Sequence, residues 1–496
     1  NWAWWAFLLT GMMTVFVYAK LWRRSALDTD LGFYEIRYSG RPAAVLRGFR
    51  ALYLGVFFNI MIMATVSLAA IKIGQVMFGL SPLMTLVCAS AGVAVYATLG
   101  GLTGSIWADF YQYTIAMVGA VFAAVYAVNS ADVGGISSLK ELFANADVQA
   151  KMSMFPSGAG GLSALMTVLI LPVAVQWWNV WYPGAEPGGG GYIAQRMLSA
   201  KDEKNAVGAT LLFNFLHYAM RPWPWIIVAL VSLVQFPMTP PAEQEAARAW
   251  LAENAAVVEQ YAAAKERMPA EVRAQVRQRK ADAAGVGSLA RAFPKVDDQF
   301  LRNDIAYPGM ISTMPKGWLG LIVASLIAAY MSTIATHLNW GSSYVVQDFY
   351  ARFVKRDLTP KQAVAVGRGT MLALLVLSGL VALWMRNAKD SFDILLQIGA
   401  GTGLLYILRW FWWRINAWSE ISAMVISFAV ACFFQWGAGP MGVESSMRDA
   451  GWFTVMDYSA WKLVIGILLT TAGWLAVTYL TPPEKQEVLA RFCSKI

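Results

Sequence analysis

The chain reads as an all-α polytopic membrane protein, and three observations say so. Of its 496 residues 58% are hydrophobic and 14% are charged, whereas a soluble chain carries about 25% charged residues. Apolar runs of about 18 or more residues recur along the whole length, each long enough to cross a bilayer as a helix. Those runs are continuous and do not alternate, which argues against a β-barrel.

About eleven spans follow in order, at roughly 2–20, 50–78, 82–99, 108–129, 162–182, 207–236, 317–340, 364–385, 392–411, 418–436 and 461–480. The short loops set the orientation. "KLWRRS", with Arg37, Arg41, Arg47 and Arg50, follows the first span. The same side then carries Arg196, Lys201 and Lys204, then Arg352, Lys355, Arg356, Lys361 and Arg368, then Arg409 and Arg414, then the C-terminal tail. An excess of Lys and Arg marks the cytoplasmic side, so the C-terminus is expected inside the cell and the chain in the inner (plasma) membrane. The net charge of +9 is accounted for by these loops, and no nucleic-acid partner is expected. Three cysteines, Cys88, Cys432 and Cys493, give no disulfide framework and no metal-ligand spacing. The opening "NWAWWAFLLTGMMTVFVYAK" already lies within a span, and both ends are expected to be cut from a longer chain.

Three regions result: a first group of spans over 1–236, an extracytoplasmic insert over 237–316, and a second group with the cytoplasmic tail over 317–496. "PAEQEAARAWLAENAAVVEQYAAAKERM" has helical composition and Pro269 breaks it. "PAEVRAQVRQRKADAAG" is a second helix ending at glycine. The insert therefore reads as a solvated helical hairpin, or as a docking surface for a protein partner. "PGAEPGGGG" (183–191) reads as a flexible inside loop, and its glycines do not fit a phosphate-binding motif.

Polar residues inside the apolar runs carry the chemistry. Ala329, Ser332 and Thr333 share one turn of one helix face. A backbone carbonyl and two hydroxyls there present oxygens to a hard monovalent cation. Alternatively, the hydroxyls bond to carbonyls of their own helix. His337 and Asn339 read as polar contacts near the inner helix end. In "LPVAVQWWNVWYPGAEP", Pro172 interrupts a span, and Gln176, Trp177, Trp178 and Asn179 follow. A broken membrane helix exposes backbone groups that are tolerated where they line a cavity, and Gln, Asn and Trp suit a polar solute. The competing reading is an interfacial aromatic belt, to which Trp181 and Tyr182 are assigned. Arg221 lies well inside a span ahead of Pro222 and Pro224; it is a functional charge, a snorkelling one, or half of an ion pair with a carboxylate such as Asp393. Gly100 and Gly101 make a tight turn, and Asp109 opens the next helix as a cap-type acid.

Taken in order, these segments resemble the sodium:solute symporter family. The resemblance rests on "YATLGGLTGSIWADFYQ", where Ala108 stands for the usual Thr, on "YIAQRMLSAKDEKNA", on "DIAYPGMISTMPKGWLGLIVASLIAAYMSTIATHLNWGSSYVVQDFY" (304–350) and on "RWFWWRINAWSEISAM" (409–424). It covers nearly the whole chain. It implies a LeuT-type fold of two inverted five-helix repeats with a site at mid-membrane. It implies that Ala329, Ser332 and Thr333 hold the coupling Na+, that Asp109 lies on the ion's exit route, and that Gln176 through Asn179 line the solute site. Counting back from the matched segments, the first span here corresponds to the family's third. The first core helix is therefore expected on an absent N-terminal segment or on another chain.

The expected function is sodium-coupled symport of a small polar solute by alternating access, with no enzymatic chemistry. Two other readings stay open. One is a non-transporting sensor or scaffold on the same fold, docking partners through 237–316. The other is a proton-coupled carrier using Asp109, His217 or His337.

Overall fold

Helix ends in this chain are set by short-range chemistry, and those ends fix where the polar turns lie. The computed structural model describes residues 2–130, 133–137, 155, 161–178, 186–385, 395 and 397–496. Asn179, Trp181, Tyr182 and Asp393 fall outside the described residues. α1 covers residues 7–25, with a π-type stretch at Thr14–Tyr18. α2 is Gly40–Phe78. Gly79 closes it at φ 64°, with its N–H on Gln75 O and the Leu80 N–H on Gly74 O, the left-handed cap that favours glycine. Ser81 accepts from Met84 N and Pro82 fills the first turn of α3, Pro82–Gly101. α4 is Thr103–Val128. Between α3 and α4 the backbone breaks at Gly101, with φ 56° and ψ −166°, a region essentially restricted to glycine.

α5 is Gly161–Ala174, α6 is Gly191–Leu198, α7 covers residues 203–220, and α8 is Pro222–Gln235. The insert supplies α9 (Pro241–Glu253), α10 (Ala255–Ala264) and α11 (Ala270–Ala283). α12 is Lys316–Val354 and α13 is Pro360–Trp384, the latter opened by a reciprocal cap between Thr359 and Gln362. α14 is Thr402–Leu408. α15, Ala417–Gly437, begins at an Asn416–Ser419 cap, and α16, Tyr458–Leu480, at Asp457. α17 is Gln486–Lys495.

Among the described residues seven helices are long and apolar enough to cross a membrane: α2, α3, α4, α12, α13, α15 and α16. The other expected spans are shorter or interrupted. Pro172 stands in α5, Pro222 separates α7 from α8, and Gly401, at φ 78°, precedes α14. Proline removes a helical donor and clashes with the preceding turn; α7 and α8 part at Pro222, whereas α5 runs through Pro172, where a break is expected, and leaves helical backbone at Val175.

α12 is the central helix. It packs on α3 and α4, on α2 and on α13. Buried polar contacts fix its rotation. Asn59 of α2 donates to His337 O (2.8 Å) and its Oδ1 meets His337 Nδ1 at 2.5 Å. Asn339 donates to Ser105 Oγ of α4 at 2.8 Å. His337 and Asn339 are thus the polar contacts that the sequence suggests.

Several expectations need correction. α2 begins ten residues before residue 50 and α12 runs to Val354, so Arg41, Arg47, Arg50 and Arg352 lie on helices and not in loops. Arg37, Arg50 and Arg409 are 1%, 2% and 3% exposed; they do not form a solvated basic rim. Arg37 donates to the carbonyls of Arg409 (2.8 Å) and Trp412 (2.9 Å), just past the end of α14. Residues 186–191 are buried throughout and not a flexible loop. Trp22 Nε1 donates to Gly188 O at 2.6 Å, and the Gly191 N–H donates to Asp30 Oδ2 at 2.8 Å.

The insert forms a hairpin, with α9 against α11. Pro269 stands at the N-terminus of α11, and Gly285 follows its end at φ 79°. One side is not solvated: Ala281, Val286, Leu289 and Phe300 join Leu68 and Ile71 of α2 in one apolar cluster. Lys72 Nζ reaches Asp304 Oδ2 at 2.5 Å. Within the insert Tyr261 hydrogen-bonds Asp298, and burial, then that bond, push the Tyr261 phenol above its usual range.

The Gly101 break yields a test. Nothing lies within 4 Å of a Cβ built there, so a side chain is opposed by backbone conformation alone. Gly101→Ala is expected to cost about 1–3 kcal/mol, read as a lower thermal midpoint of the detergent-solubilised chain. Gly100→Ala, on helical backbone, is expected to be neutral or mildly stabilising.

Candidate functional site

The turn around Ser332 sits on a face of α12 that no helix fully covers. Ala329, Ser332 and Thr333 are each half-buried. Ala329 and Thr333 border a groove of about 460 Å³ whose other walls include Val66, Ala70 and Ile73 of α2 and Thr85 of α3. Thr333 Oγ1 donates to Ala329 O at 3.0 Å. Ser332 lies near the carboxylate of Asp109 on α4. One turn on, Thr336 Oγ1 reaches Asp109 Oδ2 at 3.3 Å.

Using a hydroxyl proton does not use up the oxygen. A carbonyl carries two lone pairs, and a hydroxyl that donates keeps both of its own. Thr333 Oγ1 therefore keeps its lone pairs for a cation while its proton is spent on Ala329 O, which also accepts its own helix bond. The two sequence readings, self-satisfied hydroxyls and a cation site, are compatible.

Asp109 does not open its helix. α4 starts at Thr103, because the break falls at Gly101 and not nearer residue 108, so the acid stands in the second turn. It does not cap. Its Oδ2 accepts from Thr336 and lies 3.5 Å from Arg196 Nη2. Its Oδ1 is buried with no hydrogen-bond partner among the described residues. The sequence-predicted ion ligands and the sequence-predicted exit acid thus lie on facing helices, joined one turn on by Thr336.

The second cluster forms where α5 ends. Val175 leaves helical backbone at φ −135°, and Gln176, Trp177 and Trp178 make one 3₁₀ turn. Gln176 is buried and the two tryptophans are half-buried. Thr10 of α1 donates to Trp177 O. Trp178 Nε1 donates to Ala174 O at 3.3 Å. On the far side the Trp178 carbonyl rests on Gly403 of α14, where a built Cβ would stand 1.5 Å from that oxygen. The break is therefore braced between α1 and α14. These residues make no hydrogen bond to the Ser332 turn among the described residues.

Arg221 is half-buried, with its guanidinium over the rings of Trp4 (5.4 Å) and Trp225 (5.1 Å). Cation–π contact stabilises it there. His217 packs between Trp4, Phe213 and Tyr218.

Sequence reasoning missed a buried charged cluster beside the break. Glu186 is 2% exposed and bonds Arg50; its Oε2 lies 3.7 Å from Arg409. Arg409 also meets Glu420 Oε2 at 3.3 Å, and Tyr38 donates to Glu420 Oε1 at 2.6 Å. The arginines were counted toward a charged loop. The one available signal was an acid set in a glycine-rich run.

A family model for the sodium:solute symporters matches residues 1–256 and 287–427, more than half of the chain. The chain belongs to the sodium:solute symporter family. Relatives of this symporter include the sodium/sialic acid symporter SiaT of Proteus mirabilis (strain HI4320), 22% identical over 449 residues, 88% of this chain and 76% of SiaT. Sodium/glucose cotransporter 1 of Oryctolagus cuniculus is 20% identical over 515 aligned positions, 99% of this chain and 69% of its own length. A solved structure, described as the substrate-bound outward-open state of a Na+-coupled sialic acid symporter, superposes with a TM-score of 0.64 at 20% identity, covering 98% of this chain and 86% of that one. The fold is LeuT-type, and the protein is a sodium-coupled symporter, not an enzyme.

Gly403 tests the brace. Gly403→Ala forces the Trp178 carbonyl away, and overpacking of this kind costs about 1–3 kcal/mol. Sodium-driven solute uptake in proteoliposomes is expected to fall, while Gly437→Ala, distant from the break, leaves it near the parent value.

Proposed function

We propose that this symporter imports a small polar solute together with Na+ by alternating access, with the basic end of the bundle facing the cytoplasm. Sodium binds at Ala329 O, Ser332 Oγ and Thr333 Oγ1, three oxygens on one turn of α12. The single observation that carries this reading is that Asp109 stands beside that turn, held one turn on by Thr336. A carboxylate within reach of a neutral oxygen turn supplies the charge that a monovalent ion needs when water is removed. It also gives the ion a next position: sodium leaving the turn passes to Asp109, where Arg196 competes for the same oxygen.

The solute site is assigned to the α5 break. Gln176 and Asn179 provide donors and acceptors, and Trp177 and Trp178 a flat apolar wall. Broken helices place free backbone groups at the solute in carriers of this architecture. Sodium binding orders α12 against α4, the bundle rocks, and ion and solute leave toward the basic end. The gradient drives the cycle, and no bond is made or broken.

The test is uptake by the full chain in proteoliposomes. Ser332→Ala with Thr333→Ala removes two of three oxygens, and sodium-stimulated uptake is expected to disappear while the variant remains monodisperse with a thermal midpoint close to the parent's. Uptake that keeps its sodium dependence in the double variant would sink the assignment. Imposing a pH gradient in place of sodium is expected to drive no uptake.

A further inference from the structure

The buried loop 186–190 lies between the α5 break and the basic end, and Glu186 is its anchor. Four charges meet there in nearly complete burial: Arg50 and Arg409 at 2% and 3% exposed, Glu186 and Glu420 at 2% and 1%. They come from four places in the chain. Arg50 is on α2, Glu186 leads into α6, Arg409 follows α14, and Glu420 is in the first turn of α15. Glu186 is the member that bridges, with one carboxylate oxygen on each arginine. Arg409 keeps Glu420 when Glu186 is removed, and Arg50 keeps the hydroxyl of Tyr406.

Two small cavities touch Glu186 from opposite sides. One, of about 30 Å³, lies between α1 and α7 and is lined by Thr10, Thr14 and Asn214. The other, of about 20 Å³, lies between α2 and α14 and is lined by Tyr53, Phe58 and Thr402. Thr10 is the residue that holds Trp177, and Thr402 adjoins the Gly403 seat of Trp178. The carboxylate thus borders both cavities, one lined by the residue that holds Trp177 and the other by the neighbour of the Trp178 seat.

Such a cluster is poorly explained as a source of stability. Burying ion pairs costs desolvation that their attraction roughly offsets. What it supplies is a contact with two discrete states, because a carboxylate withdrawn from two buried guanidiniums leaves them exposed to entering water. We propose that Glu186 is the release-side gate residue of this symporter, latched to Arg50 and Arg409 in the closed state and freed when the 186–190 loop withdraws. This rests on the alternating-access reading above.

The test uses the full chain with Cys88, Cys432 and Cys493 replaced by Ser and a reporter at Thr14→Cys, which lines the first cavity and is 4% exposed. Labelling by a hydrophilic maleimide is measured in detergent with sodium present. Glu186→Gln is expected to raise the labelling rate at least tenfold, because the latch loses its charge and keeps its shape. Glu420→Gln leaves Glu186 as the carboxylate on both arginines, and its rate is expected to stay near the parent's. Equal acceleration in both variants would mean general loosening and would overturn the proposal, as would an unchanged rate in Glu186→Gln. Should Glu186→Gln not give monodisperse protein, Glu186→Asp carries the test: it keeps the charge and shortens the reach, so faster labelling supports the latch and an unchanged rate overturns it. Sodium-dependent thermal stabilisation of the parent is recorded alongside. If the parent shows none, the symport reading fails; if the parent responds and Glu186→Gln labels no faster, the gate alone fails.

Discussion

The meeting of α12 with Asp109, through Thr336, is the contact on which the rest of the site depends. It brings a carboxylate oxygen that is buried with no partner among the described residues beside a turn that carries two hydroxyl oxygens. Neither half is sufficient. Neutral oxygens alone leave a bare cation without a counter-charge, and an isolated buried carboxylate is costly. On the proposed assignment an ion bound there offsets the burial of the acid. Arg196 is the protein's own cation at that acid, 3.5 Å from Oδ2. On the proposed assignment sodium and this guanidinium share one carboxylate, so occupancy of the turn follows where the last turn of α6 stands.

That contact requires α12 to present one face and hold it. Apolar packing alone does not fix a helix's rotation within a membrane, because lipid is as apolar as leucine. The buried polar contacts do so here. Asn59 grips the His337 backbone and ring, and Asn339 reaches Ser105. These residues bear no charge and touch no candidate ligand, yet they decide that Ser332 looks at α4. At the basic end the problem is reversed: Glu186, Arg50, Arg409 and Glu420 put charge where water is excluded, in a form whose pairing can be exchanged.

Much of this was legible in the chain. The apolar runs point to the class, and the glycine pair and Pro222 stand where helices break, whereas the break expected at Pro172 falls three residues on, at Val175. Gly101 was read as a turn because few other residues adopt its backbone. Helix starts were harder. Residues 40–50 are amphipathic and carry three arginines, so a window sensitive to apolarity begins α2 at residue 50, although the hydrogen-bonded helix begins at Gly40. The same error displaced the start of α4 and turned Asp109 into a cap. Glu186 was invisible for a different reason. Its burial depends on Arg50 and Arg409, each more than a hundred residues away, and composition assigns both to a solvated rim. Pairing across that distance has no local signature.

Direct sodium binding tests the central claim without any solute being known. Equilibrium uptake of radioactive sodium by the purified full chain is compared with the Ser332→Ala, Thr333→Ala variant and with Asp109→Asn. Saturable binding is expected in the parent, weakened at least tenfold, about 1.4 kcal/mol, in both variants. Sodium bound with the parent's affinity after the two hydroxyls are gone would contradict it.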